Sequence, residues 1–203
     1  MSNPLPERPA PTGLLSLMLL VSGSCALVFQ VVWIRELRLV FGATTASSAA
    51  VLAIFMAGLG LGNWLFGRKI DNSDRPLRFY GLLEVGIALS AGLSPLLIDG
   101  VRQLYVGVGG QSALGSGTAT LLRLFATAVI LAVPTIMMGG TLPAAARAVA
   151  IDADLNRRRV AFLYGLNTFG AVIGAGLANF LLLEMFGNRT VLWSACVVNL
   201  LLA

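Results

Sequence analysis

The feature that most constrains this chain is a series of apolar runs, each close to the length of a membrane-spanning helix. The approximate bounds of these runs are 13–33, 47–66, 77–98, 118–148 and 160–186, and a shorter run begins at 191. A helix needs about 20 apolar residues to cross a hydrocarbon core of about 30 Å, because it rises about 1.5 Å per residue. The sequence therefore predicts an all-α, polytopic transmembrane bundle of about six helices in a lipid bilayer.

The composition separates this chain from soluble proteins. Only 11% of its residues are charged and 57% are hydrophobic, whereas a soluble domain averages about 25% charged residues. The formal net charge of +5 comes mostly from short loops between the apolar runs. It therefore indicates membrane topology and not a nucleic-acid partner.

The two ends of the chain differ from the rest. Residues 1–12 contain four prolines and no apolar periodicity, which predicts a disordered cytoplasmic tail before one transmembrane domain, 13–203. The last run, 191–203, spans only about 20 Å as a helix. We therefore expect the sixth helix to be short or truncated, in a truncated chain or in part of a longer protein.

Two similar hairpins form an internal repeat. The motif YGLxxxG occurs at 80–86 and again at 164–170, each time after a basic loop. The basic residues are Arg68, Lys69, Arg75 and Arg78 before the first copy, and Arg157, Arg158 and Arg159 before the second. This pattern predicts a parallel repeat of helices 2–3 and 4–5, with both basic loops on one side of the membrane.

The basic residues also predict the orientation. If the side that holds both basic loops also holds the N-terminus, it carries nine of the 14 Lys and Arg residues. An excess of basic residues marks the cytoplasmic side. We therefore predict a cytoplasmic N-terminus in the cell inner (plasma) membrane.

Small residues predict where helices pack closely. Gly58 and Gly62 in helix 2, and Gly170 and Gly174 in helix 5, are four positions apart, so each pair lies on one helix face. Such pairs let two helices approach closely. In helix 4 the segment PTIMMGGTLP, from Pro134 to Pro143, predicts a kink or a helix end, because proline removes a backbone donor.

Polar residues inside the apolar runs are candidates for a binding site, because charges in lipid are costly. Glu84 is the strongest candidate, since it lies about 10 Å inside helix 3 and within the repeated motif. A structural pair or hydrogen bond inside the bundle is the alternative role for Glu84. The other candidates are the second carboxylate, Glu36, and the polar or aromatic residues Tyr80, Tyr164, Asn167 and Trp33. Carboxylates and aromatic faces together favour a cationic solute, while packing or interfacial positions also suit the aromatic residues.

Residues for catalysis or metal binding are scarce in the sequence. It has no histidine, and its two cysteines, Cys25 and Cys196, both lie in apolar runs. This excludes the usual zinc and haem ligand sets and predicts no metal and no cofactor. No serine or cysteine stands beside a plausible catalytic partner, so the sequence gives no catalytic residues and leaves enzymatic activity open.

Five segments, in order, resemble the membrane module of membrane-fused spermidine synthase-like proteins. The segments are FQVVWIRELRLVFG, VLAIFMAGLGLGNWLFGRKID, RPLRFYGLLEVGIAL, LAVPTIMMGGTLPAAAR and FLYGLNTFGAVIGAGLANFLLL. Family members often carry a soluble aminopropyltransferase-like domain after the membrane part. The resemblance therefore implies a polyamine-like solute and a synthase domain as partner, with enzymatic activity only where such a domain follows.

That module is similar to major-facilitator transporters, whose loop between helices 2 and 3 has the pattern G-x-x-x-D-R-x-G-R-R. Here Gly67, Asp71 and Arg75 match the pattern, while Asn72 and Asp74 depart from it. The resemblance implies a gating loop that acts through charge pairing.

Three functions follow from these observations. The first is a membrane module that binds or moves a small cationic, polyamine-like solute, or serves a synthase domain. The second is a non-catalytic anchor subunit whose glycine faces pack against partner membrane subunits. The third is the membrane part of an aminopropyltransferase. A polar cavity that reaches Glu84 would favour the first function, and glycine faces that point outward would favour the second.

Overall fold

The computed structural model describes residues 12–41, 45–149 and 153–203, and almost all of them are helical. The helices are α1 (Thr12–Phe41), α2 (Thr45–Asp71), α3 (Pro76–Gly107), α4 (Gly110–Leu114), α5 (Ser116–Ala148), α6 (Ala153–Leu177) and α7 (Leu183–Leu202). A π-helical turn, Ala178–Leu182, joins α6 to α7. These ranges contain no β-strand, which confirms the all-α prediction. The predicted tail lies outside the described residues, except for Thr12.

Five helical stretches are long and apolar enough to cross a membrane. They are Gly13–Arg38, Ser48–Asp71, Pro76–Gly107, Ser116–Ala148 and Arg158–Leu202. The last has 45 residues, more than one crossing needs, and it contains Gly187 with φ 74° and ψ 167°. That backbone conformation is essentially restricted to glycine. The chain turns back there, so α7 forms the sixth, shorter helix that the sequence predicts.

Contacting residue pairs give the direction of each helix. Residue numbers rise together along α1 and α3, where Ser22 contacts Glu84 and Trp33 contacts Ser94. The same test shows that α2 is parallel to α5 and that α1 is parallel to α6. By contrast, α3 and α7 are antiparallel. The α2–α3 turn and the start of α6 therefore lie at the same end of the bundle, as the predicted parallel repeat requires.

Four helices extend well past their predicted bounds. α1 continues beyond Trp33 to Phe41, α2 continues to Asp71, α3 continues to Gly107, and α6 begins at Ala153 instead of Val160. Each extension contains charged residues, which an apolar run excludes although Arg and Glu are good helix formers. The basic loop predicted before the second YGLxxxG motif is therefore helical from Ala153 onward.

The predicted end of helix 4 within its proline-rich segment is wrong, because α5 is continuous through Pro134 and Pro143. The prolines remove the amide donors of the Ile130 and Gly139 carbonyls. α5 packs against α2 and α3, and neighbouring helices make prolines tolerable in a membrane helix.

A proline in α3 explains the position of Trp33. Pro95 has no amide hydrogen, so the carbonyl of Ala91 loses its usual helical donor. The Ser94 hydroxyl donates to that carbonyl at 2.6 Å and accepts a hydrogen bond from Trp33 Nε1 at 2.8 Å. Trp33 is fully buried, so this contact joins α1 to α3 at the point where the α3 backbone lacks a hydrogen bond.

The glycine pairs lie at contacts between parallel helices. Gly170 and Gly174 of α6 face α1, where a Cβ added to either would overlap the carbonyl of Leu20 or Ser24. Backbones approach this closely only where one side lacks a side chain. The second contact, between α2 and α5, is built in the same way from Gly58 and Gly62 against Thr135 and Ile136.

Candidate functional site

The carboxyl group of Glu84 in α3 lies fully inside the bundle. Its residue is 0% exposed, because Tyr80, Glu84 and Ile87 lie on the helix face that packs inward. The Ser22 hydroxyl of α1 donates a hydrogen bond of 2.7 Å to Glu84 Oε1. Among the described residues, Glu84 Oε2 has no hydrogen-bond partner and the carboxyl forms no ion pair.

Tyr80 is the second polar side chain at this position. It lies one helical turn before Glu84 on the same face and is also 0% exposed. Its hydroxyl forms no hydrogen bond of standard geometry with a described residue, but it lies close enough to interact with both Glu84 and Ser22. Tyr80, Glu84 and Ser22 therefore form one buried polar cluster between α1 and α3.

A cavity of about 90 Å³ lies beside the Ser22 hydroxyl, and every one of the six long helices contributes to its wall. Since one water needs about 10–15 Å³, the cavity has room for several waters or for a small polar group. Its lining residues are Ser22, Gly23, Ala26, Leu27, Phe55, Leu59, Ile87, Met138, Thr141, Asn167, Ala171 and Asn199. Glu84 lies behind Ser22 and is not part of the wall.

The wall combines an apolar surface with four uncharged polar side chains. Ser22 comes from α1, Thr141 from α5, Asn167 from α6 and Asn199 from α7. Asn199 is only 2% exposed, and its Oδ1 lacks a hydrogen-bond partner among the described residues. The cavity is therefore a small polar chamber with one buried carboxyl group directly behind its wall.

The structure brings only some of the predicted binding residues together. Glu84 and Tyr80 share one face of α3, and Asn167 lines the cavity next to them. Trp33 is buried elsewhere against Ser94, and Tyr164 is 59% exposed on the outer surface of α6.

The predicted second carboxylate lies far from the cavity. Glu36 is near the end of α1, 14 residues after Ser22, or about 21 Å along the helix. Its Oε1 accepts a hydrogen bond of 2.8 Å from Asn188 Nδ2. The adjacent Arg189 forms an ion pair with Asp99 of α3. These two contacts fix the turn at Gly187 to α1 and α3.

The predicted gating residues lie around the α2–α3 turn. Gly67 lies inside α2, Asp71 is the last residue of α2, and Arg75 directly precedes α3. Asp71 and Arg75 are exposed, and neither forms an ion pair with a side chain that the structure describes. A gating role for this loop stays a prediction.

Sequence reasoning did not select three residues of the cavity wall. Ser22, Thr141 and Asn199 are polar residues inside apolar runs, which is the signal that selected Glu84. They are uncharged, so their cost in lipid is smaller and the signal is weaker. Asn199 also lies in the short final run, where the sequence predicts only a partial helix.

The fold and the buried carboxyl site define an integral membrane protein built as a single helical bundle. No family model, curated protein or solved structure matches the chain. The resemblance to spermidine synthase-like membrane modules therefore stays a prediction, and the cavity with its neighbours is the feature that bears on function.

Proposed function

We propose that this chain is an integral membrane module that binds a small cationic, polyamine-like solute in its central cavity. One ammonium end of the solute lies in the cavity, and Glu84 supplies the countercharge from behind the Ser22 hydroxyl. The polyamine character rests on the family resemblance, whereas the position of the site rests on the cavity.

The buried Glu84 carboxyl group carries this proposal. A carboxylate taken out of water is costly unless a positive charge or several hydrogen bonds compensate it. Glu84 accepts a hydrogen bond from Ser22 and lies close to the Tyr80 hydroxyl, but it forms no ion pair with a described Lys or Arg. A solute cation in the adjacent cavity supplies the missing positive charge.

The anchor-subunit alternative has less support. It requires the glycine pairs to face partner helices, but Gly58, Gly62, Gly170 and Gly174 already pack against helices of the same chain. The cavity next to Glu84 is the feature that a binding function requires and an anchor does not.

Replacing Glu84 with glutamine tests the proposed countercharge. Glu84→Gln keeps the side-chain shape and a hydrogen-bond acceptor for Ser22, so we expect the bundle to stay folded. We expect spermidine binding to weaken by about 10- to 100-fold, or about 1.4–2.7 kcal/mol, because only the charge is lost. Equilibrium binding to the purified chain in detergent or nanodiscs measures this change.

Glu184→Gln is the matched control, since Glu184 is exposed at the start of α7 and is expected to leave binding unchanged. Equal affinity of the Glu84→Gln variant and the wild type would disprove the role of Glu84. Absence of spermidine binding by the folded wild type would disprove the proposed function itself.

The orientation is part of the same proposal. The first basic loop and the Arg158–Arg159 pair at the start of α6 lie at one end of the bundle, which we assign to the cytoplasm because basic residues favour that side. A cysteine introduced at the exposed Asn72 is expected to react with a membrane-impermeant maleimide only after the cells are opened. Labelling in intact cells would reverse the assignment.

A further inference from the structure

The two hydroxyl groups of the cavity wall already donate hydrogen bonds to other groups of the chain. Ser22 donates to Glu84 Oε1 at 2.7 Å, and Thr141 donates to the carbonyl of Met138 at 2.8 Å. A hydroxyl that donates elsewhere keeps only its lone pairs for another partner. Toward the cavity, both hydroxyls can therefore act as hydrogen-bond acceptors.

Asn199 adds an acceptor that has no partner. It is 2% exposed, it lines the cavity, and its Oδ1 has no hydrogen-bond partner among the residues the structure describes. Ala203 lies against Gly81 of the antiparallel α3. Cys196 lies against Gly92, so Asn199, between these two contacts, lies at the level of residues 85–89, about one turn or less beyond Glu84.

Aromatic side chains contribute little to this wall. Phe55 is the single aromatic residue that lines the cavity. Cations without N–H groups, such as quaternary ammonium ions, are held in proteins by cages of several aromatic rings. The described wall thus offers hydrogen-bond acceptors and lacks the cage of several rings that holds a methylated cation.

We infer that Asn199 is a specificity-determining residue that makes the cavity select cations with N–H donors over cations without them. This inference rests on the proposed cation-binding function. A primary ammonium group has three N–H donors, which match Asn199 Oδ1 and the lone pairs of Ser22 and Thr141. A quaternary ammonium ion of equal charge leaves these acceptors unpaired, and a site built for hydrogen bonds discriminates strongly against such a ligand.

The test compares n-butylammonium with tetramethylammonium, two monovalent cations that each have five non-hydrogen atoms. We expect the folded wild-type chain to bind n-butylammonium at least about tenfold more tightly. Asn199→Leu, which keeps a similar side-chain size without the amide, is expected to weaken only n-butylammonium and to bring the ratio to within about threefold. Isothermal titration calorimetry on the chain in nanodiscs measures both affinities.

Asn179→Leu is the matched control. Asn179 is exposed, and its amide donates to the Ala175 carbonyl of its own helix at 3.0 Å, so the preference is expected to persist. Equal wild-type affinities for the two cations, or an unchanged ratio in Asn199→Leu, would overturn this inference and leave the cation site standing. Failure of the wild type to bind either cation would overturn both the inference and the proposed function.

Discussion

Gly170→Ala is expected to destabilise the bundle by about 3 kcal/mol, at the upper end of the cost of overpacking. A Cβ at this position would overlap the backbone carbonyl of Leu20. Backbone cannot rotate aside as a side chain does, so α6 must move away from α1. That movement would also loosen the neighbouring contact of Gly174 with Ser24.

Gly165→Ala is the matched control on the same helix. Gly165 has no atom within 4 Å of the added Cβ, so this substitution tests helix propensity alone. It is expected to stabilise the chain by about 0.5–1 kcal/mol, because alanine loses less conformational freedom than glycine in a helix. Thermal unfolding in detergent, followed by circular dichroism, measures both variants. Equal effects of the two substitutions would contradict the proposed close contact between α1 and α6.

Ala171→Leu is expected to abolish solute binding while leaving the fold intact. Ala171 lines the cavity of about 90 Å³, and leucine adds three carbon atoms to that space. Filling an existing cavity commonly stabilises a protein by about 0.5–2 kcal/mol. The expected combination is therefore an unchanged or raised unfolding temperature and no measurable spermidine binding.

The neighbouring Val172 supplies the control, since it is 65% exposed and points away from the cavity. Val172→Leu adds one carbon atom to the outer surface, so binding and stability are expected to stay close to wild type. Spermidine binding by Ala171→Leu at wild-type affinity would show that the solute binds outside this cavity, even if Glu84 matters for binding.

The helical architecture was largely predictable because the bilayer sets the length of each apolar run. The turn at Gly187 falls between the two last runs that the sequence defines, and the longer part of α7 follows it. The continuity of α5 was not predictable from composition. Prolines predict a break, but the neighbouring helices that make them tolerable become visible only in the packed bundle.

The candidate site was predictable only in part. Glu84 was found because an ionisable residue in an apolar run is rare, and its depth followed from its position in α3. The roles of Trp33 and Asn199 were not predictable. Trp33 bonds to Ser94 and lies outside the cavity wall, whereas Asn199 lines the cavity with an unpaired oxygen.

The sequence by itself determined the series of long apolar helices and the depth of the one carboxylate in the middle of a crossing, because these depend on length, rise per residue and local composition. The tertiary structure decided which side chains share a cavity. Helical periodicity assigns a residue to a face, but not to a neighbour on another helix. The hydrogen bond between Ser22 and Glu84 joins residues 62 positions apart, and only the packing of α1 against α3 brings them together.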